Sequence, residues 1–138
     1  MDVNKKIIKS DNAPIAIGSY SQAIEFGNLI FTSGQIPINP ISNNIISDDF
    51  EKQIIQVLTN LNNILIDSGS NKNKIIKLTV YLTDLSNFDK LNDAFADFFH
   101  SDFPSRSVVE VVRLPKDSKV EIDAISIKWI ISEYFYFI

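Results

Sequence analysis

The sequence predicts one α+β domain in which two helices cover one face of a mixed sheet. Three observations point to it. Two segments repeat their apolar residues with the 3.6-residue period of a helix, and six other segments are short, β-branched and bounded by turn residues. They occur in the order β-β-β-α-β-α-β-β, and two helices can cover only one face of such a sheet.

Residues 3–9 fit a short edge strand, and a loop with Pro14 and Gly18 follows. Ser21–Phe26 and Leu29–Ser33 flank Gly27-Asn28, the pattern of a two-residue hairpin. The stretch from Gly34 to Ser47 is rich in proline and asparagine and reads as loop. Asp48–Ser68 is the clearest helix, with Phe50, Ile54, Val57, Leu58, Leu61, Ile64 and Leu65 on one face. Asp48 with Glu51 resembles a capping box, and Gly69 suits the C-terminal cap.

Ile75–Thr83 alternates, with Ile76, Leu78, Val80 and Leu82 expected toward the core. Ser86–Phe99 is the second helix, with Ser86 as its expected cap. Two strands close the domain, Ser107–Arg113 and Lys119–Ile131, joined by a tight turn over residues 114–118. The sheet face left bare by the helices carries Phe31, Tyr81, Val109 and Ile125, which is expected to be buried in an oligomer.

A chain of 138 residues buries roughly two-thirds of its unfolded surface and needs no disulfide or metal to fold. It has no cysteine, which excludes thiolate chemistry and fits a cytoplasmic location. With His100 as the one histidine, a structural zinc site is not expected. The net charge of −4 opposes nucleic-acid binding, and no apolar run approaches the ~20 residues of a membrane span. No phosphate-loop pattern is present.

Arg106 and Glu121 stand out as candidates for chemistry, on consecutive strands where a cation and a carboxylate can meet at one end of a sheet. Arg106 suits a bidentate clamp on a substrate carboxylate, or is a surface arginine paired with an aspartate. Glu121, in an apolar strand, suits a general base that activates water, or faces outward like Asp123. Asn92 lies in an apolar helical stripe and needs a partner if buried. Tyr20 can wall a pocket or simply pack, Ser33 is a weak nucleophile, and Gly34 allows a close backbone approach.

Several blocks in order resemble the RidA family, also called the YjgF family, over about Ile7 to Lys128. They are Ala16-Ile-Gly-Ser-Tyr-Ser-Gln-Ala23, Phe31-Thr-Ser-Gly-Gln-Ile-Pro37, Thr79-Val-Tyr-Leu-Thr-Asp-Leu85, Phe103-Pro-Ser-Arg-Ser107 and Glu110-Val-Val-Arg-Leu-Pro-Lys-Asp117, continuing to Val120-Glu-Ile-Asp-Ala-Ile125. The resemblance implies a chorismate-mutase-like fold over residues 1–128, with residues 129–138 as an apolar, aromatic extension. It implies a homotrimer whose sheets form a central barrel, with active sites in the clefts between subunits.

It also implies a cofactor-free hydrolysis of short-lived enamine and imine acids, 2-aminoacrylate and 2-iminobutanoate, to 2-oxo acids and ammonia. By the same resemblance Arg106 binds the substrate carboxylate and Glu121 positions the water. The backbone at Ser107 and Val108 helps to hold that water, and Tyr20, Ser33, Gly34 and Asn92 line the pocket. Two positions depart from the common pattern: Ser19 stands where proline is frequent, and Val108 where cysteine is frequent, so any role at 108 belongs to the backbone. The alternative is a non-catalytic trimer that binds small carboxylates or proteins through the same clefts.

Overall fold

The computed structural model describes residues 4–128. The strands are β1 (Lys6–Ile8), β2 (Ala23–Phe26), β3 (Leu29–Thr32), β4 (Ile75–Leu82), β5 (Ser105–Glu110) and β6 (Val120–Ile127). The helices are α1 (Phe50–Asp67) and α2 (Phe88–Phe99). The element order is the expected one, and the architecture is a mixed six-stranded sheet with both helices on one side. The expected extension 129–138, and the end of the strand drawn to Ile131, lie outside the described residues.

The sheet order is β1-β2-β3-β6-β4-β5. β2 and β3 form the expected hairpin, with Phe26 opposite Leu29. β6 enters between β3 and β4 and is antiparallel to both, whereas β5 runs parallel to β4 on the sheet edge. The short turn before β6 therefore does not make a hairpin with β5. Helix α2 crosses the sheet between β4 and β5, as a parallel connection requires.

The core lies between the helices and one sheet face. Ile54, Val57, Leu58, Leu61, Ile64 and Leu65 of α1 are buried against Ile30, Leu78, Val80, Val120 and Ile122. Each such side chain contributes about 1.5–3 kcal/mol on full burial. Helix α1 is capped by Asp49, whose Oδ1 accepts from Lys52 N–H at 2.9 Å, and not by Asp48. It stops at Gly69, whose φ of +82° is the left-handed conformation that glycine adopts at least cost.

Helix α2 differs from expectation at its start. Asp84 accepts from Ser86 N–H in a preceding 3-10 turn, and Asn87 precedes the helix without a side-chain cap. Strand β4 differs too. Its register with β6 shifts between Ile75 and Lys77, so Ile76 points outward and is 43% exposed while Ile75 is buried. A bulge of this kind reverses the facing of the residues around it.

The uncovered face carries a row of cross-strand neighbours, Ile7, Ile24, Phe31 and Ile125, ending at Lys77. Tyr81 and Val109 form a second pair, and Val109 is 44% exposed. This bears out the expectation of apolar side chains on the bare side. Among the described residues, no helix is long and apolar enough to cross a membrane.

Candidate active site

Arg106 sits inside β5 rather than ahead of it, opposite Leu78 of β4. Leu78 is fully buried beneath the helices, so Arg106 projects to the helical side. There its guanidinium lies 5.1 Å from the Phe95 ring centre and 5.4 Å from that of Phe88. Asn92 Oδ1 accepts a hydrogen bond from Arg106 Nη2. Phe88, Asn92 and Phe95 share one face of α2, at spacings of four and three residues.

Among the described residues, no carboxylate forms a salt bridge with Arg106. Burial pushes its pKa down from the ordinary arginine value, the mark of a cation short of solvation. The cleft around it, about 310 Å³, is walled by Asn92, Phe95, Phe103, Pro104 and Arg106. Such a site, a held guanidinium with open donors between aromatic walls, suits a small carboxylate.

Glu121 lies opposite Tyr81 of β4, on the uncovered side of the sheet. Its carboxyl presses on Gly34, where a β-carbon would stand 2.0 Å from Oε1. The paired bonds Gln35 N–H to Ile122 O (2.8 Å) and Ile122 N–H to Gln35 O (3.1 Å) draw that loop against β6. Gln53 of α1 fixes the start of β6, accepting from Lys119 N–H and donating to Ser47 O, both at 2.8 Å. Burial raises the Glu121 pKa above the ordinary glutamate range, and the nearby Asp123 raises it further. Burial likewise raises Asp123, against the hydrogen bonds it receives from Thr79 and Tyr81.

A second cleft of about 260 Å³ holds Glu121 together with Tyr20, Ser33, Gly34 and Ile36. The Tyr20 hydroxyl accepts from Ile17 N–H at 3.2 Å and closes its own loop. Ser33 Oγ donates to Ser21 O at 2.6 Å, which occupies the hydroxyl structurally. Ser107 lies opposite Thr79 on the uncovered side, and Val108 opposite Val80 on the helical side. Both belong to the edge strand β5, so part of its backbone is free to donate outward.

The expected residues therefore fall into two groups. Arg106 and Asn92 share one cleft, and Tyr20, Ser33, Gly34 and Glu121 share another. Arg106 and Glu121 are not on adjacent strands, since β4 lies between β5 and β6, and they point to opposite faces of the sheet. Two strand spacings across and three residues along put their backbones about 14 Å apart. The expectation that consecutive strands bring them together at one end of the sheet does not hold within one chain.

Sequence reasoning missed Phe88 and Phe95 as partners of the guanidinium, and Gln53 as the anchor of β6. The helical spacing of Phe88, Asn92 and Phe95 was a usable signal for the first two, but nothing in the sequence links Gln53 to Lys119.

The family described as Endoribonuclease L-PSP matches residues 10–128 of this chain. A RutC family protein of Pyrococcus horikoshii is 48% identical over 124 residues, covering 90% of this chain and 98% of that protein. An Escherichia coli protein named 2-iminobutanoate/2-iminopropanoate deaminase is 44% identical over 126 residues, covering 89% and 98%. The crystal structure of a Rid family protein of unknown function from Yersinia pestis superposes with a TM-score of 0.87 at 46% identity, covering 90% of this chain and 99% of that one. With this match along nearly the whole described fold, the chain belongs to the RidA (YjgF-type) family that carries the Endoribonuclease L-PSP description.

Proposed function

We propose that this protein hydrolyses short-lived 2-imino acids to 2-oxo acids and ammonia, at sites where the Arg106 cleft of one subunit meets the Glu121 cleft of another in a homotrimer. The observation that carries the reading is the pair of complementary half-sites: a cation with no carboxylate salt bridge among the described residues, and a half-buried carboxyl group, packed on Gly34, whose pKa burial raises above the ordinary glutamate range. Their opposite facing within one chain supports assembly from two chains. The exposed Phe31 and Val109 supply apolar surface for that assembly.

In this mechanism Arg106 takes the substrate carboxylate through two N–H donors, with Phe88 and Phe95 behind the guanidinium. An enamine such as 2-aminoacrylate enters as its imine tautomer, formed by protonation at C3. Glu121 accepts a proton as water attacks the imine carbon, aided by outward N–H groups near Ser107 and Val108. The imine nitrogen takes a proton from solvent during the attack, so the adduct is a neutral carbinolamine. It collapses as Glu121 passes its proton to the amino nitrogen, the C–N bond breaks and ammonia leaves, while Glu121 accepts the hydroxyl proton as the carbonyl forms and then returns it to solvent. The imine carbon is already electrophilic, so placing water and substrate accounts for much of the acceleration.

The relative named as a deaminase of 2-iminobutanoate supports this substrate class. The net charge of −4 speaks against a nucleolytic activity, which needs attraction to phosphate. The test generates 2-iminobutanoate in place with a threonine dehydratase and follows 2-oxobutanoate. Faster release with the wild-type protein, lost on Arg106→Ala, supports the reading, and no acceleration by the wild-type protein defeats it. A second reading, a carboxylate-binding module without catalysis, is favoured by the completeness of the Arg106 cleft within one chain. It predicts pyruvate binding without acceleration.

A further inference from the structure

An apolar groove of about 440 Å³ runs between the outer sides of α1 and α2. Ile54, Leu58, Ala94 and Phe98 form its floor, and Ile55, 61% exposed, stands at its wall. The Glu51–Lys90 ion pair, at 3.9 Å, marks one end and Phe98 the other. From Lys90 to Phe98 the rise along α2 is about 12 Å, a little over two helical turns. The groove uses a different flank of α2 from the Phe88, Asn92 and Phe95 face that holds Arg106. It also opens on the helical side of the molecule, away from the bare sheet face, so assembly through that face leaves it uncovered.

The rim of the groove is acidic. Lys90 answers Glu51, but Asp93 and Asp97 form no salt bridge among the described residues. Asp89 precedes them at the same four-residue spacing, so three carboxylates follow one side of α2 and repel one another. Asp97 lies in the last turn, where the helix dipole is negative and no basic residue offsets it. These charges oppose the stability of α2 until cations come alongside. The aromatic end of the groove already receives one, since Lys72 Nζ stands 4.8 Å from the Phe98 ring centre.

Both walls are helices whose backbone groups bond internally, so they offer no strand edge to an extended peptide. A third helix fits instead, its ridge of side chains bedding between two neighbours. We propose that the α1–α2 groove docks a basic amphipathic helix of another protein, whose apolar residues at i, i+3, i+4 and i+7 enter the trough from Ile54 to Phe98 and whose lysines and arginines pair with Asp93 and Asp97. Two turns of such a helix match the length of the groove. The apolar floor supplies burial, and the acidic rim selects the sign of the partner's charge.

The experiment uses the full-length protein and a fluorescein-labelled helical peptide of about 15 residues, long enough to form a helix, with leucines at that spacing and lysines beside them. Fluorescence anisotropy measures its binding. One control peptide carries glutamate in place of lysine, and another keeps the lysines but carries serine in place of leucine. The groove variants are Asp93→Asn/Asp97→Asn and Ile55→Ser, all at exposed positions, with circular dichroism to check folding. Asp11→Asn/Asp102→Asn removes the same net charge from exposed positions outside the groove. The lysine–leucine peptide should bind the wild type and the charge-matched variant alike, and bind each groove variant roughly fivefold or more weakly. Neither control peptide should approach its affinity. The proposal is overturned if the lysine–leucine peptide fails to bind the wild type, if either control peptide binds as well, or if the charge-matched variant weakens binding as much as Asp93→Asn/Asp97→Asn. It is also overturned if Ile55→Ser lowers the mass of the protein in sedimentation, which assigns the groove to a second copy of this chain. The outcome is independent of whether the protein deaminates imines.

Discussion

Gly34 and Glu121 are packed so closely that no side chain fits between them: a β-carbon on Gly34 would stand 2.0 Å from Glu121 Oε1 and 2.8 Å from Cδ. The backbone bridge between Gln35 and Ile122 fixes this approach, so the loop cannot retreat without losing two hydrogen bonds. Gly34→Ala is expected to displace the Glu121 carboxyl while leaving the core intact. A shift of about 1 Å in a positioned group costs up to about 10²-fold in rate. The measurement is kcat in the coupled imine assay beside an unchanged circular-dichroism spectrum. Wild-type kcat in this variant would remove Glu121 from the chemistry.

Mixing two inactive variants tests where the site is built. Arg106→Ala and Glu121→Gln are each expected to lose at least about 10²-fold in kcat/KM, since charged hydrogen bonds are worth about 1.5–3 kcal/mol apiece. Refolded together, they should regain activity, because about a quarter of random interfaces pair an intact Arg106 with an intact Glu121. A mixture as inactive as its components would place both groups of each site in a single chain.

The raised pKa of Glu121 has two consequences of opposite appearance. Activity that needs the ionised base falls as pH drops through a midpoint above the ordinary glutamate range, and Asp123→Asn should move that midpoint to lower pH. For stability the sign is reversed. A carboxyl group whose folded pKa exceeds its unfolded value binds more protons when folded, so its contribution is present below the unfolded pKa and lost as pH rises through the folded one. Glu121→Gln should therefore raise the thermal midpoint at neutral pH and leave it unchanged in acid. No pH dependence in that difference would contradict the burial of this group.

Leu61→Ala, in the middle of α1, should cost about 2–5 kcal/mol by urea denaturation, the range for truncating a fully buried leucine. A loss below about 1 kcal/mol would mean that α1 repacks, contrary to the close packing seen around it.

Elements were more legible in the sequence than their partners. The helical face of α1 was visible because seven apolar residues share one period, and the β2–β3 hairpin because Gly27-Asn28 separates two β-type runs. Cap positions slipped by one or two residues, since Asp48, Asp49, Asp84 and Ser86 offer similar chemistry and only backbone geometry selects among them. The facing of Ile76 was lost to a bulge that no alternation rule can register. The relation of Arg106 to Glu121 was hidden for a different reason. It depends on β6 entering between β3 and β4, and periodicity within a strand says nothing about which strand lies beside it.

That insertion of β6 has a consequence for what one folded chain can do alone. Each subunit holds a clip for an anion on one side and a proton acceptor on the other, with a hydrogen-bonded sheet between them. Under the proposed mechanism neither is harmful or useful by itself. Specific activity should then depend on protein concentration, declining on dilution even while every chain stays folded.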